Sequence, residues 1–234
     1  MSSVLITGAN RGIGFGLVLQ FLQDENYKHI FATARDIAKA TDLAAIKDER
    51  LHIIKMDVTK DNTIKNALVK VKTFLGTAGL DMLIHNSGIH EKYTIDGPVD
   101  RTKQHRVFDV NAAGPLIVFL RLLKKSKHPK VIMISSAVGS IGASFGTFGA
   151  QEILAYAMSK TAVNQVMKTL AQDHCEDKFI FVSFCPGTVQ TDMNGGKGEL
   201  TAEESASALV ESFKKLTKRH SGGFYHRNLA AIPY

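Results

Sequence analysis

The chain contains no tryptophan, two cysteines and five prolines among its 234 residues. Two thiols, Cys175 and Cys185, cannot build the disulfide framework of a small secreted domain, and they suit a reducing compartment. Long hydrophobic runs are also missing. The most apolar stretch, GPLIVFLRLL over residues 114–123, is interrupted by Arg121 and is too short to cross a bilayer. The opening MSSVLITGAN has no basic segment leading into an apolar one, so no secretory signal is expected, and a soluble cytoplasmic protein is. Acidic residues are in deficit, 22 against 29 lysines and arginines, for a net charge of +7. The basic clusters LKKSKHPK (123–130) and KKLTKRH (214–220) each follow a helix-period segment, where cations complement the helix dipole. No aromatics are interleaved with them and no nucleic-acid-binding motif is present, so neither a nucleic acid nor a membrane is an expected partner. The nine histidines show no zinc-ligand spacing with the cysteines, and no metal site is expected.

What is present is an alternation. Short, nearly continuous apolar runs at 4–7, 29–34, 51–56, 81–85, 130–135 and 179–184 read as strands covered on both faces. Between them, 12–24, 61–75, 102–126, 153–173 and 202–219 read as amphipathic helices. A last strand is expected within GGFYH (222–226). The pattern predicts right-handed crossovers and an α/β fold, a doubly wound parallel sheet of about seven strands with helices on both faces, in one domain spanning the length.

Chemistry-bearing residues fall at the ends of these strands. TGANRGIG follows the first strand and opens the first helix, with Gly8, Gly12 and Gly14 flanking Asn10, Arg11 and Ile13. Such a turn lets backbone approach a pyrophosphate and aims a helix N-terminus at the anion. At the tip of the second strand, ATARD places Arg35 where an acidic residue would hold a free ribose 2′-hydroxyl. With Arg11 it suits a 2′-phosphate, so NADP(H) is expected in preference to NAD(H); Asp36, if turned inward, would argue the other way. Tyr156 and Lys160 lie four residues apart, on one face of a predicted helix. An ammonium about 4 Å from a phenol oxygen, at an effective dielectric of ~20, would attract its anion by ~4 kcal/mol and draw its pKa towards neutrality. A phenol so tuned can exchange a proton with a carbonyl or alcohol.

TGANRGIG, MDVT (56–59), HNSG (85–88), Asn111, ISS (134–136), YAMSK and PGTVQT (186–191) occur in the order of the short-chain dehydrogenase/reductase family. The chain resembles that family over essentially its whole length. PGTVQTDM and the closing GGFYHRNLAAIPY look most like the small carbonyl reductases of the sniffer and C-factor type. The resemblance implies a tetrad of Asn111, Ser136, Tyr156 and Lys160. Tyr156 would be the proton donor in reduction, Lys160 would hold the nicotinamide ribose, Ser136 would bond the substrate oxygen, and Asn111 would hold a relay water. Asp57 and Val58 would meet the adenine. Asn86 and Gly88 would line the middle of the cofactor, and Pro186, Gly187, Val189 and Thr191 its nicotinamide end. The substrate would be a small carbonyl or alcohol, and a homodimer or homotetramer is the family habit. The alternative is a catalytically weak dinucleotide-binding regulator on the same fold.

Two departures stand out. The family's Asn-Asn-Ala-Gly appears as His85-Asn86-Ser87-Gly88, and His85 is expected to end a strand with a local hydrogen bond. Nineteen residues, 137–155, separate Ser136 from Tyr156, and they could form a flap whose Phe145 or Phe148 covers a substrate, or a surface loop. That length also leaves Ser135 and Ser140 as rivals to Ser136. The segment 192–205 is expected to form a mobile substrate loop, and Cys185 to be a buried, inert thiol.

Overall fold

The computed structural model describes residues 2–93, 100–114, 116–143 and 152–234, with side chains 116–118 left aside. Phe145 and Phe148, the proposed substrate cover, lie outside the described residues. Seven parallel strands are β1 (Ser2–Ile6), β2 (Tyr27–Ala34), β3 (Leu51–Lys55), β4 (Met82–His85), β5 (Lys130–Ile134), β6 (Ile180–Cys185) and β7 (Phe224–His226). They lie in the order β3-β2-β1-β4-β5-β6-β7. The order reverses direction between β1 and β4, which opens a crevice beyond their C-terminal ends. The helices are α1 (Gly12–Leu22), α2 (Thr41–Ala45), α3 (Asp61–Leu75), α4 (Arg101–Asn111), α5 (Leu116–Leu123), α6 (Leu154–Asp173) and α7 (Ala202–Lys214).

The continuous apolar character of the strands follows from burial on two sides. On β1, Val4 and Ile6 face one core with Leu17 and Phe21 of α1 and Leu209 and Phe213 of α7. Leu5 faces the opposite core with Val71 of α3, Phe119 of α5 and Met167 of α6. The basic clusters do serve helix ends: Lys130 Nζ donates to the Phe213 carbonyl in the last turn of α7 at 2.8 Å.

Two elements differ from the sequence reading. The helix expected over 102–126 is two helices, broken after Asn111 at Ala112-Ala113-Gly114-Pro115. A proline has no N–H to give residue 111 and disfavours helical backbone just before it, so the apolar period continues across a break it cannot reveal. Gly114 there packs against the His85 ring, leaving no room for a side chain. The short α2 was not anticipated, its five residues being too few to show a period.

Helices α1 and α7 meet where Gly16 lies under α7. A Cβ at position 16 would stand 2.8 Å from the Ala202 carbonyl oxygen and 3.0 Å from the Ala206 Cβ. Gly16→Ala is expected to lower stability by about 1–3 kcal/mol through this overpacking, read as a reduced urea midpoint. An unchanged midpoint would show that the helix pair gives way freely.

Candidate active site

In a parallel sheet every strand's C-terminal end reaches the same edge. From β3 outward, that edge carries Asp57, Arg35, the glycine turn, Asn86, Ser136 and Pro186 in spatial order. Residues scattered through the sequence are thereby set side by side along one crevice.

The glycine turn is shaped by its neighbours. Gly8 and Gly12 have φ of 61° and 53°, a backbone state that L side chains rarely adopt. A side chain at Gly14 would collide with the Gly8 carbonyl and the Asn86 amide. Asn86 Nδ2 donates to the Thr7 and Gly8 carbonyls, both at 3.0 Å, and Thr7 Oγ1 accepts from the backbone N–H groups of Asn86 and Ser87. The turn thus keeps its cavity without side chains and starts α1 at Gly12, a cradle that fits a diphosphate. Asn10 and Ile13 stand half-exposed on its rim.

Arg35 is exposed just beyond β2 and has no hydrogen-bond or ion-pair partner among the described residues. Asp36 Oδ1 accepts from the Ala38 N–H at 3.1 Å within its own exposed loop. Arg11 instead pairs with Asp192 across the crevice, Nη1 to Oδ2 at 2.8 Å. Both side chains are largely exposed, so this pair is worth at most about 1 kcal/mol and can be exchanged for another anion. Asp57 Oδ1 accepts from the Thr59 N–H and hydroxyl at 3.0 and 2.8 Å, while Val58 packs on the core beneath.

The catalytic candidates converge at β4, β5 and α6. Buried Asn111, the last residue of α4, accepts at Oδ1 from the Ile89 N–H at 2.8 Å. Its Nδ2 donates to the Ile89 carbonyl at 3.0 Å and to Ser159 Oγ at 2.9 Å. Asn111 Oδ1 and Lys160 Nζ both flank Gly88, 3.5 and 3.6 Å from where a Cβ would stand. Lys160 Nζ donates to the Ile134 carbonyl at 2.7 Å and lies 5.5 Å from the centre of the Tyr156 ring.

Among the three serines, Ser135 is buried with its hydroxyl towards the Lys160 carbonyl, and Ser140 donates to the Pro233 carbonyl. Ser136 is the one near enough to the Tyr156 phenol to act on its titration, holding its pKa down.

The electrostatics correct the sequence argument. Burial pushes the Tyr156 phenol up to about 12, with nearby Cys185 adding to the rise and Ser136 opposing it. Burial also brings Lys160 down to about 8. The reasoning from spacing weighed attraction between the two groups and left out the loss of water around both. In this site dehydration outweighs the attraction, so the phenol keeps its proton at neutral pH while Lys160 remains largely ammonium. His85 behaves similarly: burial takes it down to about 4, and its Nδ1 lies 3.4 Å from Thr7 Oγ1, the local bond expected of it.

Beyond β6, Pro186 accepts at its carbonyl from Ser205 Oγ at 2.9 Å, and Val189 is buried. Gly187, with φ of 88°, lies beside the Arg227 guanidinium. The Thr191 methyl approaches Gly12, at 3.3 Å from a Cβ placed there. Two neighbours, His90 and Asp192, were given no role by the sequence reading, and Cys185, expected to be buried and inert, lies closer to the site than that implies. His90 meets the Tyr156 ring edge to face at 5.5 Å, Cys185 lies within electrostatic reach of Tyr156 and Lys160, and Asp192 engages Arg11. His90 could have been found two residues beyond Gly88; the others depend on tertiary contacts.

The short chain dehydrogenase family matches residues 2–202. The chain belongs to that family. It is an oxidoreductase fold member whose solved relatives include the Sniffer protein of Caenorhabditis elegans, 39% identical over all of both chains with a TM-score of 0.89. An NADPH-bound carbonyl reductase from chicken fatty liver is 32% identical, covering 100% of this chain and 99% of the other, with a TM-score of 0.93. The C-signal protein of Myxococcus xanthus is 33% identical over 161 residues, 68% of this chain and 95% of that one. Both branches of the sequence resemblance, to Sniffer and to the C-factor type, are thus present.

The Lys160 shift sets a sign that can be checked. Its value in the fold, about 8, lies below the ordinary 10.5, so between these limits the unfolded chain binds more protons and stability rises with pH. The slope approaches about 1.4 kcal/mol per pH unit for one full proton. Lys160→Met should remove that rise from urea unfolding curves taken at about pH 8 to 10, the range set by the two values. Parallel profiles for the two proteins would refute it.

Proposed function

We propose that the chain is an NADP(H)-dependent carbonyl reductase acting on aldehydes, ketones or quinones. The observation that carries this reading is the grouping of the half-buried Tyr156 phenol with Ser136 and Lys160 at the same crevice edge as the glycine cradle. A protein that only bound a nucleotide would have no use for a protonated phenol at that point.

The dinucleotide, when bound, supplies the hydride. Gly8, Gly12 and Gly14 with the α1 N-terminus would hold its diphosphate, and Asn86 and Gly88 its middle. Asp57 and Val58 would meet the adenine, and Gly187, Val189 and Thr191 the nicotinamide end. Lys160 would turn its ammonium from the Ile134 carbonyl towards the ribose hydroxyls. In reduction, Ser136 donates a hydrogen bond to the substrate oxygen as negative charge develops, and Tyr156 delivers its proton there. The site's protonation state at neutral pH, a neutral phenol beside a cation, is the one that reduction requires. Asn111, braced by Ile89 and Ser159, would hold the water that returns a proton through Lys160.

Preference for NADP(H) rests on Arg35 at the tip of β2, without a partner among the described residues, with Asp36 engaged by the Ala38 N–H in its own loop. Arg35→Ala should weaken NADPH binding roughly tenfold to a hundredfold, the loss of about 1.5–3 kcal/mol expected for a charged hydrogen bond. NADH binding should change little, and equal losses would remove Arg35 from the 2′-phosphate site.

Tyr156→Phe should lower NADPH-dependent carbonyl reduction by about 10²–10⁴-fold while leaving NADPH affinity nearly unchanged. The measurement is loss of nicotinamide absorbance with a panel of dicarbonyls and quinones. Full activity in the variant would exclude the tyrosine mechanism.

A further inference from the structure

The segment that follows Ser136 is held by residues some ninety positions further along the chain. The chain leaving β5 passes Ser136 into a single 3₁₀ turn, Ala137–Gly139, and on to Ala143. Each side of that turn has a partner. The Ala137 N–H donates to Cys185 Sγ at 3.2 Å, and the Ala137 side chain packs on a small apolar cluster of Cys185, Phe224 and Ile232. The Gly139 carbonyl accepts from Thr161 Oγ1 at 3.1 Å and Asn164 Nδ2 at 3.2 Å of α6. A side chain at Gly139 would run into the Lys160 backbone, 2.6 Å from its carbonyl carbon.

The remaining side is closed by residues 232–234. Ser140 Oγ donates to the Pro233 carbonyl and itself accepts from the Ala143 N–H at 2.9 Å. The Gly142 N–H donates to the Tyr234 carbonyl at 2.7 Å. That strap is in turn fixed to the sheet. The Ile232 N–H donates to the Phe224 carbonyl at 2.8 Å, and the Tyr234 hydroxyl to the Gly222 carbonyl at 2.5 Å. Lys168 Nζ of α6 lies 5.6 Å over the Tyr234 ring. Without the strap, the turn after Ser136 would keep its contacts to α6 and Cys185 but lose both acceptors on its outer side.

We propose that the strap Ile232–Pro233–Tyr234 is a positioning element of the active site, which holds the Ala137–Ala143 segment so that the Ser136 hydroxyl meets the substrate oxygen. It acts through Ser136 and touches neither cofactor nor substrate. The assignment rests on the function proposed above for Ser136, but the geometry it predicts is measurable without turnover.

The test uses a variant lacking Pro233 and Tyr234, with Tyr234→Ala and Tyr234→Phe as milder versions that retain the backbone acceptors. Hydrogen exchange followed by mass spectrometry should show faster exchange in the peptide covering 137–143 of the shortened protein, with the glycine turn at 8–16 unchanged. Carbonyl kcat/KM with NADPH should fall roughly tenfold, the scale of a hydrogen bond misplaced in the transition state, while the NADPH dissociation constant stays within about twofold. Tyr234→Phe should recover most of what Tyr234→Ala loses, since it keeps the ring against Phe224 and Lys168.

The deciding comparison is a double-mutant cycle. In a Ser136→Ala background the deletion should cost little further activity, because the group it positions is already gone. Equal costs in both backgrounds, or unchanged exchange across 137–143, would overturn the proposal. A wild-type protein that reduces no carbonyl would instead remove the reading of function, with the exchange experiment still deciding whether the strap holds the turn.

Discussion

The hydrogen bond from the Lys160 ammonium to the Ile134 carbonyl, 2.7 Å long and buried, ties α6 to the sheet. A dehydrated cation is costly unless fixed groups accept its protons, and here the acceptor is the last carbonyl of β5. That contact sets how α6 lies against the strand end, and so where Tyr156, one turn earlier, presents its phenol. Gly139 is constrained by the same requirement, because a side chain there would run into the lysine's backbone. The cation is therefore a feature of packing before it is one of chemistry.

Enclosure also decides which way the pair leans. Two titratable groups withdrawn from water both favour their uncharged forms, and their attraction for one another is too small to reverse this. A phenol that keeps its proton is suited to giving it up only when negative charge grows on a nearby oxygen. Acting as proton donor, the role proposed for Tyr156, asks for the protonated form that burial favours.

The sequence made the sheet legible because strands buried on both faces can hardly be anything but apolar, and the helices between them carry a clear period. Most residues expected on the crevice follow a strand, so knowing that the strands are parallel was enough to gather them. Arg35 and Asn86 stand on that edge for this reason, whereas Asn111, Tyr156 and Lys160 reach it from α4 and α6. What the sequence hid were matters of break and of environment. The interruption between α4 and α5 sits inside an unbroken apolar period, and the rise of the Tyr156 pKa depends on burial that only the folded chain supplies. The choice among Ser135, Ser136 and Ser140 needed their partners, one of which lies in the strap at Pro233. The Arg11–Asp192 pair joins residues 181 positions apart and leaves no local trace.

The segment after β6 leaves the sheet and returns to the point of departure. Val189 and Leu200 pair as a lone parallel bridge, the Gln190 N–H meets the Leu200 carbonyl at 2.8 Å, and Thr201 caps α7 with Glu204. The excursion between them is therefore a closed module with both feet pinned. Between those feet Thr191 reaches Gly12 and Asp192 reaches Arg11, so whatever moves the excursion is felt at the glycine turn.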